Sequence, residues 1–290
     1  MSKKRYKLTN DLLFKAVFGR DEEPSKQLLM HLLNALLERK GTEKITAIEH
    51  KNPFSIREKE DEKEVIFDIK VKLMNGQYVD VEMQVNAGKI YRKRSLFYWS
   101  KLHSEQEMRG NDYVEVHKSI CINIVDSLCI YESEKNHNVF KVLEVNEHFL
   151  LDDDLEIHYF QLPKIHDIIM TDEGYKSWMF FIKNLGDQEQ DEMINELVER
   201  EDVFKMAYEE YSKMSADDLV RERIEAHEKY LMDQRTRERI AHEEGIEQGV
   251  NKTKIEMVQK ALEKGLSIED IADLTGLSVE EIKQIGHAHT

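Results

Sequence analysis

Three residues with oxygen-bearing side chains, Asp68, Glu82 and Gln84, have the types and spacing of a cation site. They form the pattern Asp-x13-Glu-x-Gln within residues 65–85, a segment in which apolar and polar side chains alternate. Carboxylate oxygens are the ligands that Mg²⁺ and Mn²⁺ prefer in proteins. The sequence therefore predicts a divalent-cation site here, provided that the fold brings the two carboxylates face to face.

The elements that must position these residues are two strands. Residues 65–73 and 78–85 each alternate between apolar and polar side chains, as strands with one buried face do. On both strands the odd-numbered residues form the apolar set. If both apolar sets line one core, opposed residues must have numbers that sum to an even value, because directly opposed residues point to the same face.

This parity selects the turn between the strands. A two-residue loop gives an odd sum, whereas a three-residue loop over 74–76, with its glycine in the left-handed conformation, gives a sum of 150. With that register Asp68 lies opposite Glu82, and Lys70 lies opposite Asp80.

Spacing alone leaves two interpretations of the opposed carboxylates. Like charges directly across a strand pair repel, and a cation between Asp68 and Glu82 would convert that cost into a binding site. Alternatively, these are ordinary charges on the polar face of a half-exposed hairpin, with Lys70 and Asp80 as a routine cross-strand pair.

The elements around the hairpin are read from helical and alternating patterns. Helices are predicted over 8–18, 25–39 and 89–106, and strands over 45–48 and 119–126. The order is thus helix, helix, strand, hairpin, helix, strand. On the first helix Asp11 and Lys15 lie four residues apart, so they share a face and can pair.

The helix over 89–106 offers cations and an aromatic ring that could hold a phosphate backbone. The candidates are Arg92, Lys93, Arg94, Tyr98 and Lys101. Arg94, Tyr98 and Lys101 follow one side of the helix at spacings of four and three. The alternative is a solvated helix face, with Trp99 and Leu102 as core residues.

Several segments together resemble a known family. They are TNDLLFKAVFG, FDIKV, VEMQ, RSLFYWSKL and FQLPKI, which extend from residue 9 to residue 165. They are similar to the Rpn recombination-promoting nucleases, also described as PD-(D/E)XK nuclease family transposases. The resemblance implies an α/β (α+β), restriction-endonuclease-like core of order αβββαβ, a mixed sheet flanked by helices. A helical C-terminal extension follows that core.

The resemblance also implies roles for particular residues. Asp68, Glu82 and the Met83 carbonyl would hold Mg²⁺, or Mn²⁺, and Gln84 would orient the attacking water or the phosphate. Gln84 stands where most of the superfamily has Lys, and Lys70 is the nearest candidate for a compensating cation.

Asp11 and Lys15 match the family's opening motif, and Arg94 and Tyr98 its helix motif. The expected function is a metal-dependent DNA endonuclease linked to recombination or mobile elements. The alternative is a catalytically reduced DNA-binding or protein-interaction module that keeps the nuclease fold.

Three domains are predicted: a nuclease-like domain over 1–214, a charged helical connector over 215–264 and a helix-turn-helix-like module over 265–290. In the last module Ser267 caps one helix, Gly276 makes the turn, and Ser278 with Glu281 forms a capping box. Its second helix begins with Glu280 and Glu281, which oppose phosphate. The C-terminal helices are therefore predicted to pack or to form a homodimer.

Charge and composition agree with a nucleic-acid enzyme that works inside the cell. The net charge is −16, yet residues 1–100 hold 20 Lys and Arg against 15 Asp and Glu, so the part with the hairpin is basic. The two cysteines give no disulfide framework, and no apolar run is long enough to span a bilayer. A cytoplasmic protein without membrane contact is expected.

Overall fold

A computed structural model describes residues 4–52, 54, 68–106, 113–165 and 174–287 of the 290-residue chain. Of the predicted hairpin, residues 65–67 lie outside the described residues.

The helices are α1 (Asp11–Phe18), α2 (Ser25–Leu36), α3 (Tyr91–Ser104), α4 (Tyr175–Asn184), α5 (Asp191–Arg200), α6 (Asp202–Ala216), α7 (Asp218–Glu263), α8 (Ile268–Thr275) and α9 (Val279–His287). The strands are β1 (Ile48–His50), β2 (Ile69–Leu73), β3 (Tyr78–Gln84), β4 (Ser119–Val125), β5 (His137–Phe140) and β6 (Leu155–Gln161). None of the described helices is long and apolar enough to cross a membrane.

The strands form one mixed sheet of order β1-β2-β3-β4-β6-β5 among the described residues. Strands β1, β2 and β3 are antiparallel, β3, β4 and β6 are parallel, and β5 pairs antiparallel with β6 at the edge. Parallel neighbours need a crossover, and α3 supplies it between β3 and β4. The predicted αβββαβ order and mixed sheet are confirmed.

The register of the hairpin is the predicted one. Ile69 pairs with Val81 and Lys70 with Asp80, so the sum is 150. The turn keeps Gly76 at a φ of +88°, which few residues other than glycine adopt. A Cβ at this position would also lie 2.6 Å from the His117 ring.

The sheet has a core on each face. One face joins the apolar sides of β2 and β3 to helices α1, α2, α4, α5 and α6. The opposite face carries the even-numbered residues of β3 and is covered by α3, around Tyr91, Tyr98, Leu102, Cys121 and Tyr159. On this face Asp80 and Glu82 are buried, whereas Lys70 and Lys72 on β2 stay half-buried, so the ordinary interpretation of a half-exposed face holds for β2 but not for the two acids of β3.

Several predicted elements have different bounds: the strand predicted over 45–48 corresponds to β1, and the helices predicted over 25–39 and 89–106 are shorter. The strand-like run of residues 140–145 predicts a further strand, but β5 ends at Phe140, and beyond it Leu143 forms only an isolated bridge with Leu150. The amphipathic pattern over 191–213 predicts a single helix, yet Glu201 is extended and separates α5 from α6. This break lets Leu197 and Phe204 both reach the main core.

The chain divides into two compact units, Met1–Ile224 and Glu225–Thr290. In the second unit Val258, Ile271 and Ile282 form a small core. The predicted cap at Ser267, the left-handed Gly276 and the capping box of Ser278 and Glu281 are all present. The finer division at residues 214 and 264 stays a prediction.

Candidate active site

The predicted carboxylates meet where β2 begins. Asp68 precedes β2 directly, and Glu82 lies near the end of β3. The Met83 N–H donates to Asp68 Oδ2 over 2.9 Å, and the Asp68 N–H donates to Glu82 Oε1 over 3.2 Å. A backbone N–H at or next to each acid thus donates to the side chain of the other acid.

The Met83 carbonyl faces the same place. The N–H and C=O of a strand residue point to the same neighbouring strand. Since the Met83 N–H points at Asp68, its carbonyl oxygen lies on that side of β3 too. Two carboxylates and one backbone oxygen therefore border the start of β2.

Helix α1 brings a cation to this place. Asn10 caps the helix by accepting the Leu13 N–H over 3.1 Å. One turn further, Lys15 Nζ lies 3.0 Å from Asp68 Oδ1, and the side chains of Lys15 and Asp68 are only 7% and 13% exposed. Lys15 is thus a buried partner of Asp68. Asp11 lies one turn earlier, in the first turn of α1.

A third carboxylate, Asp80, belongs to this group and was not among the predicted site residues. Asp80 is 0% exposed and Glu82 is 2% exposed, on the same face of β3. Asp80 Oδ1 has no hydrogen-bond partner within the described parts of the chain. Lys70 lies opposite, but its ammonium group hydrogen-bonds Glu105 over 2.7 Å. The sequence signal for Asp80 was its even number, which places it on the same face of β3 as Glu82.

Burial and mutual repulsion disfavour the ionised forms of Asp80 and Glu82. Burial raises the pKa of Glu82 well above its usual range, and the charges of Asp68 and Asp80 raise it further. Burial, followed by the charge of Asp68, likewise raises the pKa of Asp80. A cation from solution would favour the ionised form of both side chains.

Helix α3 closes the site from above the sheet. The Arg94 Nε donates to the Tyr98 hydroxyl over 2.7 Å, and the guanidinium lies 4.9 Å from the Tyr98 ring centre. Burial and the charge of Glu82 raise the pKa of Tyr98, which indicates that this tyrosine lies close to the acids. Tyr91 donates to Asn123 over 3.0 Å, next to Glu82 in the sheet. Sequence reasoning missed Tyr91 and Asn123 because neither belongs to a motif.

The other predicted residues are more scattered. Gln84 is half-buried one step beyond Glu82 on the same face. Lys93 is exposed on α3. The Lys101 Nζ lies 3.5 Å from Glu105 Oε1. Arg92 points elsewhere, since it binds the Cys129 carbonyl and Glu132.

A divalent cation at this place would need several oxygen donors. No three His, Cys, Asp or Glu side chains among the described residues converge into a ready-made cation cage. The oxygen donors are instead Asp68, Glu82 and the Met83 carbonyl. Two of them are carboxylates, and the Glu82 side chain is deeply buried. Hard, negatively charged oxygen donors fit Mg²⁺ or Mn²⁺, and Mg²⁺ binds through one or two carboxylates and keeps several waters.

An αβββαβ core with an Asp-x13-Glu-x-Gln hairpin at one strand end defines the class of PD-(D/E)XK nucleases. The model of one family in this class, the PD-(D/E)XK nuclease family transposases, matches residues 8–241. The chain belongs to this family, a family of nucleases linked to mobile elements. No curated protein and no solved structure matches the chain. The narrower likeness to the Rpn proteins stays a prediction.

Proposed function

We propose that this protein is a metal-dependent DNA endonuclease that hydrolyses phosphodiester bonds during recombination or transposition. The observation that carries the proposal is the Glu82 carboxylate. It is 2% exposed, is held beside Asp68 at a strand end, and has its pKa raised by burial and by two further acids. Burying the ionised form of such an acid lowers the stability of the fold, and a bound cation would offset this cost.

The cation would be held by Asp68, Glu82 and the Met83 carbonyl, with Mg²⁺ preferred and Mn²⁺ accepted. When bound, it would polarise the scissile phosphate and acidify a water molecule. Gln84, one step along β3, orients that water or the phosphate by hydrogen bonding. It neither neutralises charge nor takes a proton, so its part is positional.

The DNA backbone would lie across α3. Arg94 donates to Tyr98 on this helix, the charge of Arg94 acts on Glu82, and the exposed Lys93 adds further positive charge. Arg92 and Lys101 would contribute to the general potential, because each is already paired with an acid. These side chains carry no base-reading pattern, so the contacts proposed are to phosphates.

The test is the conversion of supercoiled plasmid to nicked and linear forms with Mg²⁺, Mn²⁺ or EDTA. We expect cleavage with either metal, none in EDTA, and none with Asp68→Ala or Glu82→Ala. Glu49→Ala is the matched control, since Glu49 is an exposed acid on β1 paired with Lys51. It should cleave like the unchanged protein.

Two outcomes oppose the proposal. Cleavage that survives both substitutions places the activity outside this hairpin. A folded protein that cleaves neither duplex nor single-stranded DNA with any metal favours a binding module that has kept the nuclease fold.

We further propose that the C-terminal helices form a homodimer, with α7 as the contact. Four exposed apolar residues lie on one face of α7: Met232, Ile246, Val250 and Met257. The same face carries Arg239 and Glu243. In a parallel pair of α7 helices each of these charges would lie opposite a like charge. In an antiparallel pair Arg239 would lie opposite Glu243.

Light scattering of the full chain tests this pairing. We expect a dimer that Ile246→Glu with Val250→Glu converts to a monomer. Glu244→Lys on another face of α7 should leave the dimer intact. A monomer at micromolar concentration for the unchanged chain would contradict the proposal.

A further inference from the structure

Position 84 leaves the proposed site without a cation of its own at the end of the motif. The resemblance to the PD-(D/E)XK superfamily implies a usual Lys where this chain has Gln84, and an amide brings no charge to the acids or to a bound phosphate. A nuclease with this substitution needs positive charge from another element.

Three cations surround the acids, and their partners distinguish them. Lys70 hydrogen-bonds Glu105 over 2.7 Å at the far end of α3. Arg94 donates to Tyr98. Lys15 is in direct contact with a proposed metal ligand, with its Nζ 3.0 Å from Asp68 Oδ1.

We infer that Lys15 is the positioning residue that replaces the missing motif lysine. Its ammonium group would fix the Asp68 carboxylate in place and supply the positive charge that position 84 lacks. The inference rests on the proposed nuclease function and adds a residue from a different element, α1, to the two strands of the hairpin.

The anchoring of Lys15 supports this role. Its side chain is 7% exposed, so a charge placed there must have a lasting partner. The other Asp68 oxygen accepts the Met83 N–H, and the carboxylate is therefore held on both sides. The backbone of α1 is also fixed, because the Lys15 carbonyl accepts the Gly19 N–H over 2.7 Å at the end of the helix.

Loss of this charge should separate cleavage from metal binding. In Lys15→Met we expect the rate of plasmid cleavage at saturating DNA to fall about 10²-fold, the loss typical of one preorganised charge. Mn²⁺ binding, measured by calorimetry, should be retained or tighter, since a competing cation has left Asp68. A residue with a purely structural role would lose metal binding and cleavage together.

A charge-relocation variant provides the decisive comparison. Lys15→Met combined with Gln84→Lys returns an ammonium group to the site from β3, and we expect it to recover at least about tenfold of the lost rate. The matched control combines Lys15→Met with Asn86→Lys, which adds a lysine at an exposed position two residues further on. It should recover nothing.

Lys15→Arg keeps the experiment informative if Lys15→Met does not fold. It preserves the charge, so it should fold, bind Mn²⁺ and cleave within about tenfold of the unchanged protein. The inference is overturned if Lys15→Met cleaves normally, or if the Gln84→Lys combination is no better than the Asn86→Lys control. Either result leaves the nuclease proposal standing, whereas an inactive unchanged protein contradicts that proposal itself.

Discussion

Buried carboxylates lie on both faces of the same sheet, Glu156 on one and Asp80 with Glu82 on the other, and their surroundings differ. Glu156 on β6 is opposed to Ile120 and so faces the main core, whereas Asp80 and Glu82 on β3 face α3. The Glu156 carboxylate is bound by three side-chain nitrogens. They are Lys118 Nζ at 2.6 Å, Lys141 Nζ at 3.0 Å and His158 Nε2 at 2.7 Å.

The pKa values move in opposite directions as a result. Burial alone would raise the pKa of Glu156, but hydrogen bonds from His158, Lys118 and Lys141 bring it well below the usual range. The pKa values of Asp80 and Glu82 are raised, because burial and neighbouring acids act together. A carboxylate that the protein neutralises itself supports the fold, and one that it leaves short of positive charge is suited to a cation from solution.

The sharpest test of this contrast is Glu82→Gln. The amide keeps the shape and can still accept the Asp68 N–H, but it removes the charge that a cation would need. We expect cleavage to fall about 10³-fold, equivalent to about 4 kcal/mol. The free energy of unfolding in EDTA should stay the same or rise. A clear loss of stability in urea titrations with EDTA would show that Glu82 is a structural acid like Glu156.

The opposite result is expected for Glu156→Gln. It leaves two lysines next to a buried neutral group, so the free energy of unfolding should fall by about 3 kcal/mol. Asp153→Asn serves as the control, because Asp153 binds the same lysines but is 58% exposed, and it should cost less than about 1 kcal/mol. Equal effects in urea titrations would remove the distinction between the two groups.

Asp80→Asn should stabilise the metal-free protein, by about 1–2 kcal/mol at pH 8. A raised carboxyl pKa means that the folded protein keeps a proton that the unfolded chain has lost, so stability falls as the pH rises above about 4. Asparagine has no proton to lose, and the gain should therefore grow with pH. Thermal unfolding in EDTA from pH 5 to pH 8 measures this, and a gain that is constant with pH would contradict it.

The histidines near Glu156 should make the stability depend on pH with the opposite sign. Burial and the neighbouring His158 lower the pKa of His137 to about 4. The unfolded chain then binds a proton that the folded protein does not, so stability falls as the pH decreases from about 6.5 to 4. His137→Gln should reduce this loss by on the order of 1 kcal/mol, since the ring is only half-buried. An unchanged slope in acid denaturation would exclude His137 as its source.

The local sequence was sufficient for the hairpin and for most of the helices. Side-chain alternation has a period of two, so the parity of the apolar residues fixed the register and the three-residue turn at Gly76 without any tertiary information. The capping box of Ser278 and Glu281 is likewise a contact over three residues. Family motifs then carried the prediction of the nuclease core.

The environment of the acids depended on the tertiary structure. Whether the polar face of β3 is solvated or buried is decided by α3, which lies later in the chain. The contact of Lys15 with Asp68 joins residues 53 positions apart, and its sequence spacing indicated only a surface pair with Asp11. Charge compensation and burial arise from elements that meet in space, so the sequence by itself determined which residues carry charge, and only the fold decided which of those charges are neutralised.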